Sequence, residues 1–232
     1  MKTIFNHLAT FAITLGIAIG APSAFAQKDQ PDVGFVRIVP VLTAGTGKTR
    51  ILIDGQDVYP IGYGSSQKTG GIGLKAGAHS ITLRKTGIQS AISSFTVNRE
   101  ETLTLIGFAE KVPSKNPNDP PQWKTRVLPL KRNDSESGYH LTLISLCQLA
   151  EIKVQAEIPN TPKTQIAYIK HGVPTRLDLG HSKEDLSIKV NGERVASIPL
   201  EDPGNYTMVI YEDEKGTTKA LSFYDPKLAT AG

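Results

Sequence analysis

Short segments in which apolar and polar residues alternate run through most of the chain, and they restrict its fold more than any other feature. Such segments, rich in Val, Ile, Leu and Thr, occupy residues 35–39, 49–53, 79–83, 101–107, 151–158, 165–169, 186–190 and 206–211. Gly, Pro, Asn and Asp separate them at short intervals. A period of two residues places one face of a strand on a core and the other in water. The pattern therefore predicts an all-β protein made of mainly antiparallel β-sandwiches with Greek-key or meander connections.

Two polar breaks divide the chain into a tandem pair of predicted domains. Residues 112–121 contain four prolines, which cannot contribute to a strand ladder, so we expect a loop there. The strand-like residues 125–128 can still close the first sandwich, whereas the polar run 131–138 follows them. The predicted domains are residues 34–130 and 139–226.

The two halves contain similar segments in the same order, which predicts a duplication. The matching segments are 36–39 with 141–144, 51–58 with 188–195, and 74–83 with 200–209. In the middle pair, a strand runs into Asp54-Gly55 or Asn191-Gly192, and both dipeptides favour the positive φ angles of a two-residue hairpin turn. The alternative is that unrelated β-hairpins simply share this turn chemistry.

The first 26 residues have the composition of a secretory signal peptide. Lys2 precedes an apolar run at residues 8–19, and Ala24-Phe25-Ala26 offers a small-x-small cleavage site. The run is shorter than the roughly 20 residues that span a bilayer, although an N-terminal membrane anchor is the alternative. We therefore expect a periplasmic or secreted protein that is not inserted in the membrane after cleavage.

The chain has one cysteine, Cys147, in an apolar strand-like run. It cannot form an intramolecular disulfide, so the protein depends on its cores for stability, and Cys147 is expected to be a small buried hydrophobic residue. The formal net charge is +4, and the Lys and Arg residues are scattered among Asp and Glu. This distribution argues against a nucleic-acid partner.

Motifs of catalysis and metal binding are incomplete. Residues 45–49 lack the first glycine of a phosphate-binding loop, since Leu42 stands in its place, and a strand follows them rather than a helix. Ser65 and Ser66 lack the Gly-x-Ser-x-Gly frame of a nucleophile elbow. The spacing of the acidic and His residues does not match a zinc or calcium site. We therefore predict a protein that is not an enzyme and needs no cofactor or metal.

Histidine is the remaining source of a general base. His79, His140, His171 and His181 each begin or flank a predicted strand, and no carboxylate partner is indicated by sequence spacing. We expect them to have surface or turn roles.

Aromatic residues in loops are better candidates for a binding site. Tyr59 and Tyr63 flank a Pro-containing turn beside a Gly-rich loop, and Trp123 follows two prolines. Rigid rings in such places can stack on sugars or anchor a protein partner. The alternative is that each ring packs into its own sandwich.

Three motifs of the first domain resemble a known group. They are the V-R-I-V strand at 36–39, the I-D-G hairpin at 53–55 and L-K-A-G-x-H-x-I-T-L at 74–83. In this order they resemble a large bacterial group of extracytoplasmic β-sandwich domains that occur in tandem. The group usually has Tyr where this chain has His79, and its Ser-Pro after the first strand is missing here. The resemblance covers about residues 34–108.

Within that group, the two-domain size and the leader resemble the periplasmic alginate O-acetylation adaptor family. This resemblance implies a non-catalytic protein that binds other envelope proteins, including polysaccharide-modifying enzymes, during exopolysaccharide assembly or modification. One alternative is a carbohydrate-binding module in which Tyr59, Tyr63 and Trp123 stack on a polysaccharide. Another is an adhesin or surface-structural protein.

Overall fold

The structure is a computed structural model that describes most of the chain after residue 31. The described residues are 32–64, 67–114, 116, 118–132, 137–158, 164–181 and 184–228. The predicted signal peptide (1–26), Ser65 and Ser66 lie outside these ranges. Within the ranges, no helix is both long and apolar enough to cross a membrane.

Sixteen β-strands form the described part of the chain. In order, they are β1 (Val33–Val41), β2 (Thr46–Ile53), β3 (Gln56–Asp57), β4 (Ile72–Lys75), β5 (Gly77–Thr86), β6 (Ile92–Val97), β7 (Thr102–Val112), β8 (Gln122–Lys131), β9 (Tyr139–Ser145), β10 (Glu151–Glu157), β11 (Thr164–Lys170), β12 (Thr175–Gly180), β13 (Leu186–Val190), β14 (Glu193–Ile198), β15 (Gly204–Glu212) and β16 (Thr218–Tyr224).

These strands build four sheets that pack as two pairs, so the prediction of tandem β-sandwiches is confirmed. The first sandwich pairs the sheet β4-β1-β7-β8 with the sheet β3-β2-β5-β6. The second pairs β12-β9-β15-β16 with β11-β10-β13-β14. Alternation directs the packing: in β10, Ile152, Val154 and Ala156 are buried in the second core, while the residues between them face outward. The Pro-rich segment forms the β7–β8 connection inside the first sandwich.

The two sandwiches have the same strand order, with β1 to β8 corresponding in turn to β9 to β16. This identity of topology supports a duplication, but two of the three segment matches in the sequence were wrong. Residues 51–58 form the β2–β3 hairpin, whereas 188–195 form β13–β14, the counterpart of β5–β6. Likewise, 74–83 covers β4 and β5, whereas 200–209 leads into β15. An Asp-Gly or Asn-Gly dipeptide predicts the geometry of a hairpin turn, but it does not predict where in the fold that hairpin lies.

Each sandwich contains one parallel pair, which the sequence did not reveal. The pairs β1–β7 and β9–β15 are parallel, and the other neighbouring strands run antiparallel. The chain crosses to the opposite sheet before β7 and β15, so each of these strands returns beside the first strand of its sandwich in the same direction.

Both predicted hairpin turns are confirmed. Asp54 and Gly55 have φ angles of 48° and 81°, and Asn191 and Gly192 have φ angles of 50° and 94°. Two successive positive φ angles are the signature of the type I′ turn, whose twist matches that of the strands it joins.

A third apolar cluster joins the sandwiches. It consists of buried residues of the facing sheets: Val39, Val41, Ile106, Ile144, Val209 and Phe223. Beside it, Arg37 of β1 donates to Asp225, which follows β16, with 2.6 Å between Nη1 and Oδ1 and both side chains buried. The Leu228 backbone amide also donates to Thr102 Oγ1 of the first sandwich at 3.1 Å. These contacts therefore fix the orientation of one sandwich relative to the other.

Candidate functional site

The structure brings two of the three predicted aromatic residues together. The ring centroids of Tyr59 and Tyr63 are 5.4 Å apart, with their planes tilted by 53°. Tyr59 is exposed, whereas Tyr63 is half-buried against the first core, and its backbone forms a bridge with Thr49. Trp123 lies on β8, in the opposite sheet of the same sandwich, and is also half-buried against that core. The two tyrosines are thus neighbours without being coplanar, and Trp123 belongs to a different surface.

The edge strand β11 presents apolar side chains to solvent. Ile166 and Tyr168 project from its outer face with 52% and 61% of their surface exposed. Leu149 and Val173, which are also exposed, lie just beyond the end of the β10–β11 pair where β10 begins and β11 ends. β11 is the terminal strand of its sheet, so β10 pairs with one side of it and no described strand pairs with the other. Exposed apolar side chains and a sheet edge to which no described strand is paired therefore occur along the same strand.

Four of the other sheet edges carry features that discourage pairing with another chain. β3 has only two residues, and β8 carries Lys124, Arg126 and Pro129. β12 has a register shift between Asp178 and Gly180, and β14 lies against β16. Short length, charge, proline and bulges all protect edges from unwanted association.

β11 lacks this protection. Its seven residues contain no proline, its only charge is Lys170 at the end, and its pairing with β10 is uninterrupted. Ala167 and Ile169 point toward the core side, while Ile166 and Tyr168 occupy the other face. The sequence predicted this strand but not its exposure; the available signal was that apolar residues occupy both faces of 165–169.

A second candidate site is a cleft of about 660 Å³ between the two sandwiches. The first sandwich contributes Trp123, Phe108 and the β1–β2 connection, including Thr43. The second contributes His171, the end of β15 with Glu212, and the β15–β16 connection. Thr43 Oγ1 donates to the Glu212 carbonyl oxygen at 2.8 Å, which ties the two walls together.

His79 has a carboxylate partner that the sequence spacing did not indicate. Its Nδ1 lies 2.7 Å from Asp54 Oδ2, and its Nε2 lies 2.7 Å from the Lys75 carbonyl oxygen. The Ser80 hydroxyl donates to Asp54 rather than to the imidazole. A catalytic Ser–His–Asp arrangement needs the serine on the ring nitrogen that faces away from the carboxylate. Here Lys75 occupies that nitrogen, and the group ties the β2–β3 turn to β5.

The hydrogen bonds of this group shift the pKa values of both partners. Hydrogen bonding to Asp54, and then to the Lys75 carbonyl, raises the pKa of His79 above its ordinary value. The hydrogen bond from His79 and that from the Ser80 amide lower the pKa of Asp54.

Two other histidines also contact the backbone. His171 Nδ1 lies 2.7 Å from the carbonyl oxygen of Cys147, and the His171 ring meets Phe108 edge-on, with 6.2 Å between the centroids. His140 Nε2 lies 2.9 Å from the Ser137 carbonyl oxygen. Cys147 is buried, as predicted, and burial raises the pKa of its thiol. Among the described residues, no group of three or more His, Cys, Asp or Glu side chains is arranged to hold a metal ion.

No protein-family model matches this chain, and no curated protein is significantly similar to it. The fold defines its class, which is a tandem β-sandwich protein. Its function has to be inferred from the surfaces that the two sandwiches present.

Proposed function

We propose that this protein is a non-catalytic adaptor that binds a partner protein of the cell envelope through strand β11. The observation that carries the proposal is the unpaired edge of β11 with its exposed Ile166 and Tyr168. An extended segment of a partner can add to such an edge, where main-chain hydrogen bonds supply affinity and alternate side chains supply specificity.

The surroundings of β11 define the segment that fits it. Tyr168 lies opposite Lys153 in the β10–β11 register, and Lys170 ends the strand. Burying Ile166 and Tyr168 on association is favourable by about 25 cal/mol for each Å² of apolar surface removed from water. An extended partner segment with apolar residues at alternate positions and acidic residues between or beside them is complementary to this edge.

The envelope location rests on the signal-peptide pattern of residues 1–26, and the role in exopolysaccharide modification rests on the family resemblance of the first domain. The lack of catalysis is part of the same proposal. It is supported by the environments of His79 and His171, whose hydrogen bonds serve turns and connections.

The proposal is tested by capturing partners from an envelope extract of the producing organism with the processed protein and matched variants. We expect a defined protein partner to bind the wild type and to be lost with the double variant Ile166→Lys/Tyr168→Lys. Both side chains face solvent, so the variant should fold, which a denaturation curve verifies. The control is Ile92→Lys, since Ile92 is 76% exposed on the edge strand β6.

Two outcomes contradict the proposal. One is that no protein partner is recovered. The other is that the partner binds the double variant as well as it binds the wild type and the Ile92→Lys control.

A further inference from the structure

We propose that the cleft between the two sandwiches binds a short stretch of neutral sugar residues. This site reaches His171, just after β11, but does not include Ile166 or Tyr168, and it goes beyond the adaptor function. Its volume of about 660 Å³ falls in the range of about 300–1,000 Å³ typical of small-ligand sites, which often lie at domain interfaces.

The walls of the cleft combine aromatic rings with hydrogen-bonding groups. Trp123 and Phe108 come from the first sandwich, and Tyr211 and His171 come from the second. A pyranose ring has an apolar C–H face that packs on an aromatic ring and a rim of hydroxyls that needs polar partners. Gln148, which is exposed in the second sandwich wall, offers both an amide donor and a carbonyl acceptor.

The charges around the cleft favour an uncharged ligand. Two of its carboxylates form ion pairs, Glu110 with Arg126 at 2.7 Å and Asp213 with Lys219 at 3.9 Å, and Glu214 lies within electrostatic range of Lys85. The remaining carboxylate, Glu212, shares the cleft with Lys111. Positive and negative groups therefore balance, so neither a cationic peptide nor a polyuronate is attracted by net charge.

The same carboxylates remain useful as acceptors. Each has two oxygens and about four lone-pair positions, so a carboxylate that accepts from one cation can also accept from a sugar hydroxyl. Hydrogen bonds to charged groups contribute more than neutral ones, and a polyol can satisfy several at once.

The chain has a single tryptophan, so its fluorescence reports on the cleft directly. The probes are cello-, malto- and chito-oligosaccharides. Oligo-uronates and a lysine-rich peptide are tested in the same way as an anionic and a cationic alternative ligand. We expect at least one neutral oligosaccharide to change Trp123 emission and to bind in calorimetry at concentrations up to about 10 mM.

The variants separate binding from folding. Because Trp123 also packs against the first core, Trp123→Ala alone is insufficient, and Gln148→Ala provides a second variant at an exposed position. We expect Gln148→Ala to weaken binding about three- to tenfold, as for the loss of one hydrogen bond. The matched control Tyr59→Ala, an exposed aromatic outside the cleft, should leave affinity unchanged.

The result that overturns the proposal is the absence of binding to every neutral oligosaccharide, or stronger binding to uronates or to the peptide. Equal losses in Gln148→Ala and Tyr59→Ala also overturn it. The double variant Ile166→Lys/Tyr168→Lys should bind the sugar normally, so this test and that of the adaptor function can fail independently.

Discussion

At the scale of single residues, His79 shows how the fold creates a chemical environment that sequence spacing does not reveal. Asp54 is 25 positions away and faces His79 only because β2 and β5 pair side by side. Both ring nitrogens lie against acceptors, so the doubly protonated imidazolium can donate two hydrogen bonds where neutral imidazole can donate one.

This arrangement predicts a pH-dependent contribution to stability. The pKa of His79 is raised in the folded state, so its contribution is fully present below the ordinary His pKa of about 6.5 and is lost as the pH rises through the folded-state value. We expect the difference in unfolding free energy between the wild type and His79→Gln to shrink between about pH 5.5 and about pH 8.5. Urea denaturation at the two pH values measures this change.

Two controls accompany the measurement. The variant Asp54→Asn keeps a residue that tolerates positive φ but removes the charge, so it should lower the pKa of His79 in an NMR titration. His181→Gln, which makes the same change as His79→Gln at an exposed position, is the matched control for the urea measurements. A pKa of His79 at or below its ordinary value contradicts the account.

At the scale of strands and turns, the sequence predicts an element correctly where interactions between nearby residues determine it. The alternation of residues 151–158 and 186–190 gave β10 and β13, and the Asp-Gly and Asn-Gly dipeptides gave type I′ turns. The sequence does not predict which strands pair, because contacts between residues far apart in sequence determine the neighbours of each strand. For that reason the hairpins at 51–58 and 188–195 have similar sequences although they occupy different places in the topology.

The sequence predicts the candidate sites only in part, for the same reason. The sequence indicated Trp123 and the strand containing Ile166 and Tyr168, since aromatic and apolar residues are visible in the chain. It could not indicate that β11 lies at an edge or that Trp123 lines a cleft between the sandwiches, because both depend on how the sheets assemble.

At the scale of the whole molecule, a buried ion pair links the two sandwiches. Arg37 and Asp225 are 188 positions apart, and each is almost fully buried. Removing one member of a buried pair typically costs about 3–5 kcal/mol when the other charge is left uncompensated. Arg132 and Lys68 also lie within electrostatic range of Asp225. We therefore expect Arg37→Ala to lower the free energy of unfolding in urea denaturation, by up to about that amount.

The matched control is Arg50→Ala. Arg50 pairs with Asp57 at the surface, with 52% of its side chain exposed, so water and salt screen the pair and its loss should have little effect on stability. If Arg37→Ala destabilises the protein no more than Arg50→Ala does, the buried pair does not hold the sandwiches together.

If the protein is an adaptor of this kind, its partner covers the backbone groups on the outer side of β11. Strand addition to β11 should form new main-chain hydrogen bonds on its unpaired side. Hydrogen–deuterium exchange of the protein alone and in complex with the captured partner measures this directly. The account predicts slower exchange across Thr164–Lys170 in the complex, with the edge strand β6 unchanged. Unchanged exchange across β11, with slower exchange in the cleft connections or at β6, would contradict it.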